Sequence, residues 1–332
     1  MKNRDNSYDV LRWIALTGII LVHSKPTVFW EQIRNFDVPL MVLVSAVCFK
    51  LSGGGIFSNK EQIKEYYKKR FIRLVLPSWI FLTFYFIISY MVVGNIDLIK
   101  LITCYTLTTK WYLWIIRILV VIAFLAPWLL RYTKPLSNKK LIAICIMGLL
   151  LGELLACLSD NYWYMIIVMF IPYVVYYCIG MNLYRFSSRS ILLTGVILIT
   201  IFSVVALYLY VKTGNYVPTQ AFKYPPRLYY TSYALGISAI LFVYRERIVF
   251  LLEKVHLLRF SSFVGSHTFW IYLWHIPIVD YMTNYCNSIT TFFTVYSMAV
   301  LIVYIQTILI KKMCNWIDSP VVCKNIKMIF LG

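Results

Sequence analysis

An all-α integral membrane protein of about ten transmembrane helices, both termini cytoplasmic, is the fold class this sequence predicts. Three observations predict it: an extreme composition, apolar runs that recur at membrane-spanning length, and a lopsided placement of Lys and Arg. Of 332 residues, 61% are hydrophobic and 14% charged, and the mean hydropathy is +0.74. These values lie far outside the range of soluble globular chains, so the chain needs lipid as its solvent.

Apolar windows fall near 9–25, 36–52, 74–94, 111–130, 141–158, 163–180, 191–211, 227–244, 262–281 and 291–310. A helix rising about 1.5 Å per residue needs roughly 20 residues to cross about 30 Å of hydrocarbon, and most windows approach that length. In lipid a helix satisfies its own backbone groups, which an open strand cannot do. The first window lacks an A-x-A-like cleavage site, so it is expected to stay as a span. The expectation is a single transmembrane domain over residues 1–332, with no separate soluble domain.

Orientation follows from the cations. With the N-terminus inside, 23 Lys and Arg fall in inner segments, seven of them in 50–73, and 7 fall in outer loops. That bias places both termini in the cytoplasm, with 53–73 inside and 212–226 outside. Trp30, Trp111, Trp163 and Tyr216 near the outer ends fit an interfacial aromatic belt. The net charge of +19 is scattered through short connections, a pattern of membrane topology with no nucleic-acid partner. The eight cysteines form no C-x-x-C pair and no Cys/His cluster at metal spacing, so no metal site is expected.

Chemistry is sought among ionisable residues that a membrane tolerates only at a cost of a few kcal/mol each. In the first window these are Asp9, Arg12 and His23. Eleven helical residues advance about 20° past three full turns, so Arg12 and His23 share a face about 16 Å apart along the axis. Asp9 lies one turn below Arg12 and can pair with it. The bland alternative is an interfacial ion pair and a packed histidine.

In K-K-R-F-I-R-L-V-L-P, Arg70 and Arg73 stand at i and i+3 where the third window leaves the cytoplasm. Two guanidinium forks there suit the phosphates of a nucleotide-like ligand, although positive-inside anchoring alone also explains them. Arg117, about two turns into the fourth window, faces a polar pocket or an acid such as Glu153 or Asp280. His275 serves a site or locks helix packing, and Asp37, with Pro39, shapes an entrance or starts its helix.

Taken together these residues resemble the acyltransferase 3 family. Its first-helix arginine, ten residues and histidine are met by Arg12 and His23, with the common preceding acid at Asp9. Its R-x-x-R is met by Arg70 and Arg73. F-D-V-P-L-M-V-L-V-S-A resembles F-x-V-P-L-F-x-x-x-S-G, with Ala46 replacing the usual glycine. K-W-Y-L-W (Lys110 to Trp114) resembles the H-L-W-F element, with Tyr112 at the place of its histidine. S-H-T-F-W-I-Y-L-W-H (Ser266 to His275) resembles the late S-x-x-x-x-x-I-Y-L-x-H span.

The resemblance implies a multi-pass enzyme of the bacterial inner membrane. Its donor substrate would be acetyl-CoA or another acyl-CoA, with no permanently bound cofactor. Its acceptor would be a hydroxyl of an extracytoplasmic saccharide or lipid-linked glycan. In that scheme Arg70 and Arg73 hold the CoA phosphates, His23 is the general base, and Arg12 or helix-end amides steady the oxyanion. Asp9, Asp37, Arg117 and His275 support the site. The competing classes are a transporter or flippase for a polyprenyl-linked saccharide, another family of membrane O-acyltransferases, and an accessory subunit of exopolysaccharide assembly.

Overall fold

The computed structural model describes residues 5–53, 57, 59–109, 111–159 and 161–331. Lys110 of K-W-Y-L-W and the N-terminal cations Lys2 and Arg4 lie outside the described residues. Among those described there is no strand, and fifteen α-helices follow one another. Each of the ten apolar windows is largely helical, the window 262–281 as two helices. Six stretches are long and apolar enough to cross a membrane: Val28–Leu51, Lys60–Val93, Trp114–Thr133, Tyr162–Arg185, Ser188–Thr213 and Ser288–Cys314.

The chain divides into two compact units, each built from two segments. The first comprises Met1–Gly55 and Ala126–Gly265. It contains α1 (Asn6–His23), α2 (Val28–Ile33) and α3 (Asp37–Leu51). The second comprises Ile56–Leu125 and Ser266–Gly332. It contains α4 (Lys60–Arg70), a short π-helix (Phe71–Val75), α5 (Leu76–Val93) and α6 (Leu98–Tyr105). The chain passes from the second unit to the first within α7 (Trp114–Thr133). The first unit continues with α8 (Asn138–Ala156), α9 (Tyr162–Asn182), α10 (Ser188–Thr213), α11 (Leu228–Lys254) and most of α12 (Leu258–Ser266). The second is completed by α13 (Thr268–Met282), α14 (Ser288–Cys314) and α15 (Pro320–Phe330).

In the first unit α3 packs on α1 and α9, and α11 packs on α10 and α1. These contacts use small residues, because interfaces between apolar helices gain little from hydrophobicity and much from close approach. A Cβ on Gly180 of α9 would lie 2.6 Å from the Leu43 carbonyl oxygen and 2.7 Å from the Ala46 Cβ. The small residue that this crossing requires thus sits on α9, which is how α3 accommodates alanine at position 46. Gly236 of α11 and Gly195 of α10 perform the same service for each other. A polar link, Tyr176 Oη to Thr231 Oγ1 at 2.5 Å, ties α9 to α11. Arg185, just past α9, donates to the carbonyls of Thr133, Lys134 and Leu136, which satisfies the end of α7.

In the second unit the last helix is tied down by side-chain bonds to its backbone. Trp270 Nε1 of α13 donates to the Ile329 carbonyl at 2.8 Å, and Gln306 Nε2 of α14 donates to the Phe330 carbonyl at 2.7 Å. Trp274 Nε1 in turn donates to Gln306 Oε1 at 2.9 Å. The sequence window 262–281 is not one helix. It breaks at His267 between α12 and α13, which leaves α13 with 15 residues.

Candidate active site

Arg12 and His23 lie on one uninterrupted helix. The Asp5 carboxylate caps α1 by accepting from Ser7 N at 2.9 Å, and Asp9 places negative charge in the first turn. His23 is the last residue of α1, where the Ser24 hydroxyl turns back to the Leu21 carbonyl at 2.7 Å. Arg12 Nη1 donates to Asp9 Oδ1 at 3.2 Å, with the arginine partly exposed and the aspartate buried. The Asp9 backbone is itself clamped: a Cβ on Gly265 of α12 would stand 1.8 Å from the Asp9 carbonyl oxygen. The carboxylate that aims Arg12 is therefore held by backbone packing as well as by its own helix. His23 is half-buried, while Leu16 and Ile19, between it and Arg12 on the shared face, are buried.

At the His23 end of the first unit the structure builds a charge cluster that the sequence does not announce. Asp37, the first residue of α3, accepts from Arg34 Nη1 at 2.8 Å, from Val38 N at 2.7 Å and from Lys223 Nζ at 3.4 Å. All three charged side chains are buried, with relative exposures of 2% for Arg34, 0% for Asp37 and 1% for Lys223. Arg34 Nη2 also donates to Gln220 Oε1 at 2.8 Å, Asn35 Nδ2 to Thr219 Oγ1 at 2.9 Å, and Thr219 N to Gln32 Oε1 at 2.9 Å. The connection between α10 and α11 is thereby locked onto α2 and α3. Burial pushes the Lys223 ammonium down to about 8, with the Asp37 carboxylate opposing that shift. Helix α1 reaches the cluster through Gly18, where a Cβ would come within 3.0 Å of the Asp37 Cβ. Arg34 and Lys223 are two of the seven cations that the sequence places in outer loops. The i, i+3 spacing of Arg34 and Asp37 was a readable sign of a pair, whereas nothing local marks Lys223 as their partner.

The second unit carries the R-x-x-R pair, and the π-helix separates the settings of its two arginines. In an α-helix the Arg73 carbonyl would accept from residue 77, but Pro77 has no N–H. The backbone widens instead, and Leu76 N–H donates to the Phe71 carbonyl five residues back. Ser78 Oγ then satisfies the Leu74 carbonyl at 2.7 Å. Arg70, half-buried, lies over the Tyr66 ring at 5.0 Å from its centroid, and the Tyr66 hydroxyl is anchored on the Ala123 carbonyl at 2.7 Å. Arg73, inside the widened turn, is exposed. The pair therefore departs from the regular α-helical i, i+3 register expected of it.

The two remaining motifs meet in the same unit. The Tyr272 hydroxyl donates to the Tyr112 carbonyl, and the fully buried His275 donates from Nδ1 to the Tyr272 carbonyl, which fixes its tautomer. The Tyr112 ring stands edge-on to His275 at 6.1 Å. The Asp280 carboxylate stands beside the Tyr112 hydroxyl and the Trp111 indole. Lys100 lies over the Trp111 ring at 4.5 Å and donates to the Tyr85 hydroxyl at 3.3 Å. Arg117 has neither of the acidic partners considered for it. Its Nη1 donates to the Leu107 carbonyl at 3.2 Å, while Glu153 is engaged by Arg227 in the first unit. Leu107 has φ +56, so Arg117 braces a residue in a left-handed conformation.

Among the described residues, no three His, Cys, Asp or Glu side chains are grouped to hold a metal ion. Compared with curated proteins and with solved structures, the chain finds no match in either set. Compared with protein-family models, residues 5–311 match the acyltransferase domain, a stretch that includes Asp9, Arg12, His23, Asp37, both arginines of the R-x-x-R pair, Arg117 and His275. By that match, over nearly its whole length, this chain belongs to the acyltransferase 3 family.

Proposed function

We propose that this chain is a ten-span O-acyltransferase of the bacterial inner membrane. In this reading it moves an acyl group, acetyl as the family default, from cytoplasmic acyl-CoA to a hydroxyl of an extracytoplasmic or lipid-linked saccharide. The observation that carries the reading is α1, one unbroken helix that bears the Asp9-aimed Arg12 and, eleven residues on, a terminal half-buried histidine. A sugar hydroxyl is a poor nucleophile until a base removes its proton, and neutral imidazole suits that task near pH 7.

The reaction balances without an added cofactor. His23 takes the hydroxyl proton, the oxygen attacks the thioester carbonyl, the C–S bond breaks, and the CoA thiolate leaves with the proton returned by the imidazolium. The products are the saccharide ester and CoA thiol. Arg12 or helix-end amides steady the oxyanion. Arg70 and Arg73 hold the CoA phosphates, Arg70 with a fixed aromatic backing and Arg73 as an exposed fork. Asp37 serves the acceptor side by holding the α10–α11 connection in place. Arg117 and His275 keep the second unit's loop and helix in position.

Sealed vesicles of known orientation test the reading directly. Labelled acetyl-CoA on the cytoplasmic face should acylate a saccharide confined to the opposite face. Saccharide movement without any acylation would instead make the chain a transporter.

A further inference from the structure

An apolar groove of the first unit has none of Arg12, His23, Arg34 and Asp37 in its lining. It encloses about 710 Å³ between α8 and α10, with α3, α9 and α11 as its floor, a volume typical of ligand sites. Its walls are residues such as Cys145 and Leu149 of α8 and Thr194 and Ile201 of α10, and its floor includes Leu43 and Ser238. The polar groups among these are already satisfied by their own helices. Thr194 Oγ1 donates to the Ser190 carbonyl at 2.9 Å and Ser238 Oγ to the Ala234 carbonyl at 2.7 Å. Asn182 Nδ2 likewise donates to the Cys178 carbonyl of its own helix at 2.8 Å, so the groove offers an occupant chiefly dispersion contacts.

Depth and length narrow the occupant. Only 11% of the apolar window of α10 is buried, and α8 turns Ile144, Met147, Leu151 and Leu154 outward, so both helices meet hydrocarbon. The lining runs from Leu141 to Leu150 on α8, from Ser190 to Ile201 on α10 and from Leu228 to Phe242 on α11. At about 1.5 Å per residue those stretches cover roughly 14, 17 and 21 Å, between half and about two thirds of a 30 Å hydrocarbon core. One acyl chain of one leaflet fits that span, and a polyprenyl chain is much too long for it.

Charge decides which end carries the headgroup. At the far end the cation Arg227 is neutralised: Glu153, one turn beyond Leu150, accepts from Arg227 Nε at 2.7 Å and from Leu228 N at 2.6 Å. At the near end α8 and α10 both begin, capped by Ser137 and Ser187. There Lys139, Lys140 and Arg189 are exposed, and none has an acidic partner among the described residues. Two helix starts and three uncompensated cations form an anion-attracting rim beside an apolar slot.

We propose that this groove binds one acyl chain of an anionic glycerophospholipid, with the phosphate at Lys139, Lys140 and Arg189. Native mass spectrometry of the full chain, released from detergent containing equal palmitoyl-oleoyl phosphatidylglycerol and phosphatidylcholine, tests it. The parent should retain one phosphatidylglycerol at collision energies that strip other lipid. The combined surface variant Lys139→Gln, Lys140→Gln, Arg189→Gln should lose that preference at least tenfold while folding normally. Thr194→Trp, which fills the slot, should lose retention of both lipids. Equal retention of the two lipids by the parent would overturn the proposal. So would retention unchanged in the glutamine variant, or displacement of the bound lipid by equimolar polyprenyl phosphate.

Discussion

Lys223 places its ammonium nitrogen 3.4 Å from Asp37 Oδ1, a buried ion pair between residues 186 positions apart in sequence. Arg34 completes the cluster on the other carboxylate oxygen at 2.8 Å. One carboxylate thus compensates two buried cations, and the partners are not equally replaceable. Asp37→Asn removes the carboxylate that both cations share, leaving Arg34 only the longer contact with the partly exposed Glu31 at 3.9 Å, and should cost about 3–5 kcal/mol. Lys223→Met removes one cation, keeps the Arg34–Asp37 pair, and should cost markedly less. Thermal unfolding in detergent should give that order, and limited proteolysis between α10 and α11 should accelerate in Asp37→Asn. Equal losses in the two variants would mean that the lysine packs through its chain and not its charge.

Arg70 and Arg73 should separate when replaced singly, because one rests on Tyr66 and the other stands exposed in the π-helix. Both Arg70→Ala and Arg73→Ala should weaken acyl-CoA binding and make it less sensitive to salt. Lys at either position should rescue only in part, as a point charge in place of a fork. Stability should fall in Arg70→Ala alone, through loss of the cation–π contact. Pro77→Ala restores the missing N–H without removing charge, so it should regularise the turn and reduce binding by moving Arg73. Parental affinity in all of these variants would make the pair a topology anchor.

Orientation can be read from single cysteines, since the eight native ones are all free and replaceable. With both termini cytoplasmic, Tyr216→Cys should react with an impermeant maleimide in intact cells. Lys64→Cys should react only after permeabilisation. Both side chains are exposed, so accessibility does not confound the result. The reverse pattern would invert the topology.

What was legible in the sequence is what local physics encodes. Ten apolar windows became helices because period and length are local properties. The Asp9–Arg12 pair and its shared face with His23 followed from helical geometry alone. The π-helix followed from Pro77, a signal present in R-L-V-L-P but subordinate to the apolar run around it. The break at His267 has a local mark, because Gly265, Ser266 and His267 interrupt the apolar run, but the apolar residues on either side join 262–281 into one window. Nothing local in the sequence pairs Lys223 or Arg227, because their carboxylates, Asp37 and Glu153, arrive from distant segments. Pairings of that kind are properties of the bundle.

His23 is the residue on which the proposed chemistry turns. Its position at the end of α1 means that replacement leaves the helix, the Ser24 cap and the Arg12–Asp9 pair intact. His23→Ala and His23→Gln should therefore fold and bind acyl-CoA like the parent. Transfer should nevertheless fall by about two decades or more, as expected when a positioned base is removed. Glutamine keeps size and hydrogen-bonding capacity but cannot carry a proton through the cycle, so it should do no better than alanine. The parent's rate should rise with pH along a limb that is missing from the residual activity of either variant. Arg12→Lys provides the contrast: it keeps the base, so the limb should persist at a lower rate. Near-parental transfer by His23→Gln would remove the histidine from the mechanism and leave it as a packing residue at the end of its helix.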